Sequence, residues 1–171
     1  MLDVATSGYQ ADPWIAPNHS PAGRTLGMSE NDDSLGTARL HHVALPVTDL
    51  ARSRRFYTEV LGLHEIARPA AFDFPGAWFA LGDGQLHLIV RSDGTTRGEK
   101  PLDSRDVHFA VRVDDFDATL EHLHAQGYRE DAPADDIRRI KANRQPNAGF
   151  PQIFVLDPDR HVIEINTAAR P

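Results

Sequence analysis

Histidine is the residue type in this sequence most suited to chemistry: there are 9, and several interrupt apolar, strand-like runs. His42 opens HVALPV (42–47) and His108 opens HFAVRV (108–113); His87 lies within QLHLIV (85–90), and Glu164 within HVIEIN (161–166). Side chains on a strand alternate between two faces. Val43, Leu45 and Val47 share one face of the first run, so His42 stands on the other, and Phe109, Val111 and Val113 leave His108 opposite in the same way. Leu86, Leu88 and Val90 set His87 apart, as Ile163 and Ile165 do for Glu164. Three imidazoles and one carboxylate meeting at a point form an octahedral divalent-metal site with two positions left for water or substrate. That donor set suits Zn, Ni, Fe, Mn or Co, and suits Ca or Mg poorly. Glu164 is then the candidate catalytic residue as well as a ligand, shuttling a proton itself or through a water it holds.

The other histidines read differently. His41 falls on the helix side of its strand and reads as structural, His161 shares the face of Ile163, and His122 and His124 sit on a charged helical stretch. Arg112 lies four residues beyond His108 on the same strand face and is expected to line the cavity or its rim. The stretch 138–144 concentrates four cations in an expected loop, with Arg144 at its end able to close over an anionic substrate. Phe74, Trp78 and Phe150 are candidates for an apolar wall.

The elements that must position these groups come in a repeated order. Leu40–Val47 reads as a strand, Asp49 as a helix cap, Leu50–Leu61 as a helix and Gly62 as its stop. A strand at Leu63–Ala67 and a hairpin of Ala77–Leu81 and Leu86–Arg91 around Gly82-Asp83-Gly84 come next. The order then begins again: strand Asp106–Val113, cap Asp114/Asp115, helix Phe116–Gln126, stop Gly127, strand Tyr128–Glu130, and a hairpin of Gln152–Leu156 with His161–Thr167. HVALPVTDL (42–50) aligned without gaps on HFAVRVDDF (108–116) matches at the His, the first Ala, the last Val and the second Asp. The chain is therefore an internal duplication, expected to pack as two β-α-β-β-β modules at 38–92 and 105–171 joined by a linker at 93–104. Residues 1–37, rich in Pro and Gly and without periodicity, read as a flexible extension.

Composition narrows the function classes. With 171 residues, 40% hydrophobic and 25% charged, the sequence reads as one soluble globular domain or two small modules. Zero cysteines exclude disulfides, thiolate ligation and thiol nucleophiles. A net charge of −7 argues against nucleic-acid or anionic-membrane partners. No run approaches a membrane span and no signal-peptide pattern opens the chain, so a cytoplasmic protein is expected.

The runs HHVALPVTDLARSRRFYTEVLGL (41–63), AWFALGDGQLHLIV (77–90) and FVLDPDRHVIEIN (154–166) strongly resemble the vicinal oxygen chelate superfamily, and most of all its glyoxalase I-like proteins. The resemblance implies an α+β fold in which two βαβββ modules form a U-shaped, open-barrel mixed sheet with one helix packed on each module. It also implies ligand positions at His42, His87, His108 and Glu164, although glyoxalase I enzymes place a Glu where this chain has His87. The function it implies is that of a divalent-metal-dependent lyase or isomerase of the lactoylglutathione lyase type. Such an enzyme would use metal-stabilised enediolate chemistry on a small α-oxo or α-hydroxy substrate such as a glutathione hemithioacetal, with no nucleotide cofactor. An extradiol-type Fe(II) dioxygenase and a non-enzymatic, ligand-sequestering resistance protein are the alternatives. A homodimer is expected on the same resemblance.

Overall fold

The aspartates that come after the first strand of each half fix the two helices. In a computed structural model describing residues 38–91, 93 and 97–168, the Asp49 carboxylate accepts the Arg52 N–H at 3.0 Å, and Asp115 accepts that of Ala118 at 3.0 Å. Each bond satisfies a donor that the first helical turn leaves open. The first half runs β1 (His42–Val47), α1 (Leu50–Arg55), β2 (Glu65–Ile66), β3 (Gly76–Leu81) and β4 (Gly84–Val90). The second runs β5 (His108–Arg112), α2 (Phe116–Ala125), β6 (Lys141–Asn143), β7 (Gln152–Leu156) and β8 (Val162–Asn166). Gly62 and Gly127 end the two helical segments at φ +66° and +86°, where an L side chain is strained.

Both sheets have the same topology, β1-β4-β3-β2 and β5-β8-β7-β6, with the outer pair β1/β4 or β5/β8 parallel and the remaining pairs antiparallel. The duplicated βαβββ order is therefore realised. Residues 1–37 lie outside the described residues, as do 92, 94–96 and 169–171. No helix among the described residues is long and apolar enough to cross a membrane.

Three segments differ from the sequence expectation. Helix α1 stops at Arg55 and continues to Val60 as a π-helix, with Leu61 N–H bonded to Phe56 C=O at 3.1 Å. The wider turn lets the consecutive Phe56 and Tyr57 both bury their rings, at 4% and 0% exposure. Tyr128–Glu130 is not a strand; only an isolated bridge links Arg129 to Arg139. The second strand of the second module is instead β6, inside the stretch expected to be a basic loop. Ala142 packs on the core while Lys141 and Asn143 are exposed, so this short edge strand carries no apolar alternation to read.

The apolar faces of both sheets enter one core. Leu86, Leu88 and Phe79 of the first sheet cluster with Ile153, Val155, Ile163 and Ile165 of the second, together with Tyr57 of the π-helical turn and Leu123 of α2. The β7–β8 turn locks the halves together. Asp159 takes hydrogen bonds from Thr48, from Ser53 Oγ at 3.2 Å and from Arg52 Nη2 at 3.1 Å. Tyr57 Oη donates to Asp157 Oδ2 at 2.8 Å, and His161 Nε2 bonds Pro46 C=O at 2.7 Å.

Candidate metal centre

Because the apolar faces turn inward, His42, His87, His108 and Glu164 stand on the opposite faces of their sheets. On the first sheet the rings of His42 and His87 stack at a centroid distance of 4.3 Å and 11°. Trp78, paired with His87 across β3–β4, covers the same imidazole at 4.0 Å and 4°. Gln85 Oε1 lies 2.8 Å from His87 Nε2, and an amide oxygen only accepts, so Nε2 carries the hydrogen and Nδ1 keeps its lone pair. Burial, with His42 and His41 adding to it, lowers the His87 pKa to about 4. The ring is neutral at physiological pH, the form in which imidazole binds a metal.

On the second sheet the orientation is tighter. His108 Nδ1 lies 2.7 Å from Asp106 C=O and so carries a hydrogen, and Nε2 faces Glu164 Oε2 at 3.3 Å. The Glu164 side chain, only 9% exposed, accepts at Oε1 from Gln152 Nε2 at 2.9 Å and from Asn166 Nδ2 at 2.7 Å. Its Oε2 is thereby aimed at the imidazole. An imidazole nitrogen facing a carboxylate oxygen at this distance is bridged by a proton or by a metal ion, and the flanking hydrogen bonds are the kind that orient metal ligands. The donors on both sheets, imidazole nitrogen and carboxylate oxygen, fit a divalent transition ion.

His108 and Glu164 open into a cavity of about 430 Å³ whose wall also includes Lys141, Asn143, Gln152 and Phe154. Arg112 lies on this face, exposed and paired in register with Asn166, but it does not line the cavity, and neither does Phe150. Arg144 is turned to α2, where it bonds Asp117 and lies over the Phe116 ring at 4.9 Å. Beside the His42/His87 pair, Phe72 packs edge-on to Trp78 at 5.5 Å and Phe74 to Phe72 at 5.4 Å; the two phenylalanines are 41% and 37% exposed. Arg68 lies over both.

The four candidate ligands form two pairs rather than the single cluster that a direct meeting of the halves would give. Among the described residues of one chain, no three His, Cys, Asp or Glu side chains are grouped to hold a metal ion. The cause is the shared core: the faces that oppose each other inside the chain are the apolar ones. Sequence reasoning also missed His41, whose Nδ1 lies 2.9 Å from His42 Nδ1, and the orienting amides Gln85, Gln152 and Asn166. Gln85 and Asn166 stand two residues from His87 and Glu164 on the same strand faces, and that spacing was the available signal.

Comparison with known proteins gives a consistent family. A model described as the Glyoxalase/Bleomycin resistance protein/Dioxygenase superfamily matches residues 39–165. The chain is 30% identical over 132 residues to glutathione transferase FosA of Serratia marcescens, a match covering 76% of this chain and 81% of that protein. It is 29% identical over 135 residues to a protein of Vibrio parahaemolyticus described as a "probable lactoylglutathione lyase", covering 77% and 91% of the two chains. Among solved structures, a glyoxalase family protein from Bacillus anthracis superposes with a TM-score of 0.59 at 20% identity over 78% of this chain and 97% of that one, a likeness of fold.

Proposed function

This chain belongs to the Glyoxalase/Bleomycin resistance protein/Dioxygenase superfamily, and on that premise we propose that it is a metal-dependent lyase or isomerase of the glyoxalase I type. One observation carries the reading: His108 Nε2 and Glu164 Oε2 face each other 3.3 Å apart, each group fixed by hydrogen bonds at its other atom. His42, His87, His108 and Glu164 would hold one divalent ion, drawn from Zn, Ni, Fe, Mn and Co. Bound there, the ion supplies Lewis acidity toward two adjacent oxygens of a small α-oxo or α-hydroxy substrate, making hydrogen on the neighbouring carbon acidic.

The protein's own groups do the rest. Glu164 Oε2, its partner oxygen saturated by Gln152 and Asn166, takes the proton from one carbon and returns it to the next. Trp78, Phe72 and Phe74 provide the apolar wall against which the substrate's carbon body lies. Lys141 and Asn143 at the His108/Glu164 cavity offer donors to a carboxylate, which suits a glutathione hemithioacetal. Each sheet presents half of the donor set outward, so the site is completed between two copies of the chain, His42 and His87 of one facing His108 and Glu164 of the other. Val107, 96% exposed beside His108, and Leu40, 75% exposed beside β1, lie at the edges that the second copy would cover.

The test is metal content and turnover on one sample. Protein loaded with Ni, Zn or Co is expected to retain the ion stoichiometrically and to isomerise a glutathione hemithioacetal. Glu164→Gln should lower kcat at least ~100-fold, the scale of a lost general base, and loosen the ion. A protein that retains no added ion and turns over no hemithioacetal would overturn the reading and leave ligand sequestration in its place.

A further inference from the structure

A cavity of about 740 Å³ contains none of the candidate metal ligands. It lies between α1, with its π-helical continuation, and the loops of the second module around Ile137–Arg138 and Pro158–Arg160. Phe56, Val60, Ile137 and Pro158 give it an apolar floor, and its volume is that of a small-molecule site.

Its lining carries three arginines against two acids, in a chain of net charge −7. Arg52, Arg138 and Arg160 reach it, against the acids Glu99 and Asp159. The Asp159 carboxylate is taken up by Thr48, Ser53 and Arg52. Arg160 bonds the carbonyls of Lys100 at 3.0 Å and Asp135 at 3.1 Å and has no ion pair among the described residues. Arg138 is seated against Gly127, where a Cβ would stand 3.1 Å from its Nη1, and its guanidinium has no ion pair among the described residues. Tyr128 adds a second kind of group. Its ring is buried, while its hydroxyl, which makes no hydrogen bond to the described residues, stays open to solvent at the cavity lining. Burial above all, with Asp157 adding and Arg138 opposing, pushes its pKa up to about 12, so the hydroxyl remains a donor.

We propose that this cleft binds a small organic anion, an acid group carried on an apolar body, at a site separate from the metal centre. The Tyr128 hydroxyl and the Arg138 guanidinium would take the acid oxygens, and the floor of Phe56, Val60 and Ile137 the carbon body. Because the cleft spans both modules beside the Thr48–Asp159 lock, an occupant would also stiffen one module against the other.

Calorimetric titration of the full chain tests this without reference to turnover. Benzoate and phenyl phosphate distinguish a carboxylate from a phosphate ligand; acetate and inorganic phosphate lack the body, and benzyl alcohol lacks the charge. Saturable binding is expected for one or both aromatic anions, at least about tenfold tighter than for the bare ions or the alcohol. Tyr128→Phe and Arg138→Gln should each weaken it several-fold while leaving metal retention unchanged. Absence of binding by either aromatic anion at millimolar concentration, binding no tighter than that of acetate or inorganic phosphate, or full affinity in both variants would overturn the proposal.

Discussion

The Glu164 carboxylate is defined less by its own position than by the two amides that saturate one of its oxygens. Gln152 and Asn166 both donate to Oε1, and the result is a single oxygen directed at His108. Removing an orienting hydrogen bond of this kind typically costs ~10–100-fold in metal affinity. Gln152→Leu, which keeps the volume and loses the donor, is expected to weaken metal retention by that order while leaving thermal stability little changed. A competition assay with a chelator of known affinity checks it, and an unchanged affinity would mean that Asn166 alone sets the orientation. His42, His87, His108 and Glu164 could be picked out from strand alternation and the repeat, because one residue out of phase in an apolar run is visible in one dimension. Gln152 could not, since it reaches Glu164 across a strand pair whose register the sequence does not state.

Between elements, the contact that decides how the halves sit is the β7–β8 turn on α1. Asp157 is its buried acid: Oδ1 accepts the N–H groups of Asp159 at 2.9 Å and His161 at 2.7 Å, and Oδ2 accepts Tyr57 Oη. Burial raises the pKa of Asp157 above the usual carboxylate value, and the same burial together with Asp157 raises that of Tyr57 well above its ordinary one. A raised folded-state value means that the folded protein holds the proton more tightly than the unfolded chain. The stabilisation is complete below the unfolded-state value of 3.8 and is lost as pH rises through the folded-state value, so the charged carboxylate at neutral pH is a cost. Asp157→Asn keeps an acceptor for the two amides and a polar partner for Tyr57. It should be as stable as the parent or more so at pH 7, with the advantage shrinking on acidification. Asp157→Ala strands three donors and should lose ~1–3 kcal/mol. Thermal denaturation of both variants across the acid range reads the two outcomes. The helices and most strands were legible because caps, glycine stops and alternation are local signals. The π-helical turn and β6 were not: packing of Phe56 and Tyr57 decides the first, and pairing with β7 makes a strand of Lys141–Asn143.

For the whole molecule, the proposed site spans two copies, and that makes an unusual prediction about mixtures. A His42→Ala chain keeps His108 and Glu164 intact, and a Glu164→Ala chain keeps His42 and His87 intact. Each is expected to be inactive alone. Mixed under conditions that exchange subunits, half the dimers are hybrids with one complete site and one doubly damaged site, restoring about a quarter of parental activity for a two-fold dimer. A site confined to one chain admits no such rescue, so hemithioacetal turnover of the mixture against each variant alone separates the arrangements.

The sequence by itself determined the duplicated βαβββ order, the caps and stops of both helical segments, and which face of each strand carries its polar residue. All of these come from neighbours along the chain and from the twofold alternation of a strand. Only the tertiary structure decided what the polar faces look toward. Burying both apolar faces in one core brings Leu88 and Ile163 into the same cluster, and it leaves His87 and Glu164 on the other faces of their sheets, buried there beside Trp78 and beside the Gln152 and Asn166 amides. The His42/His87 and His108/Glu164 pairs, the proposed halves of a donor set, are therefore separate within the chain, a consequence of how two sheets share a core that no single strand's pattern contains.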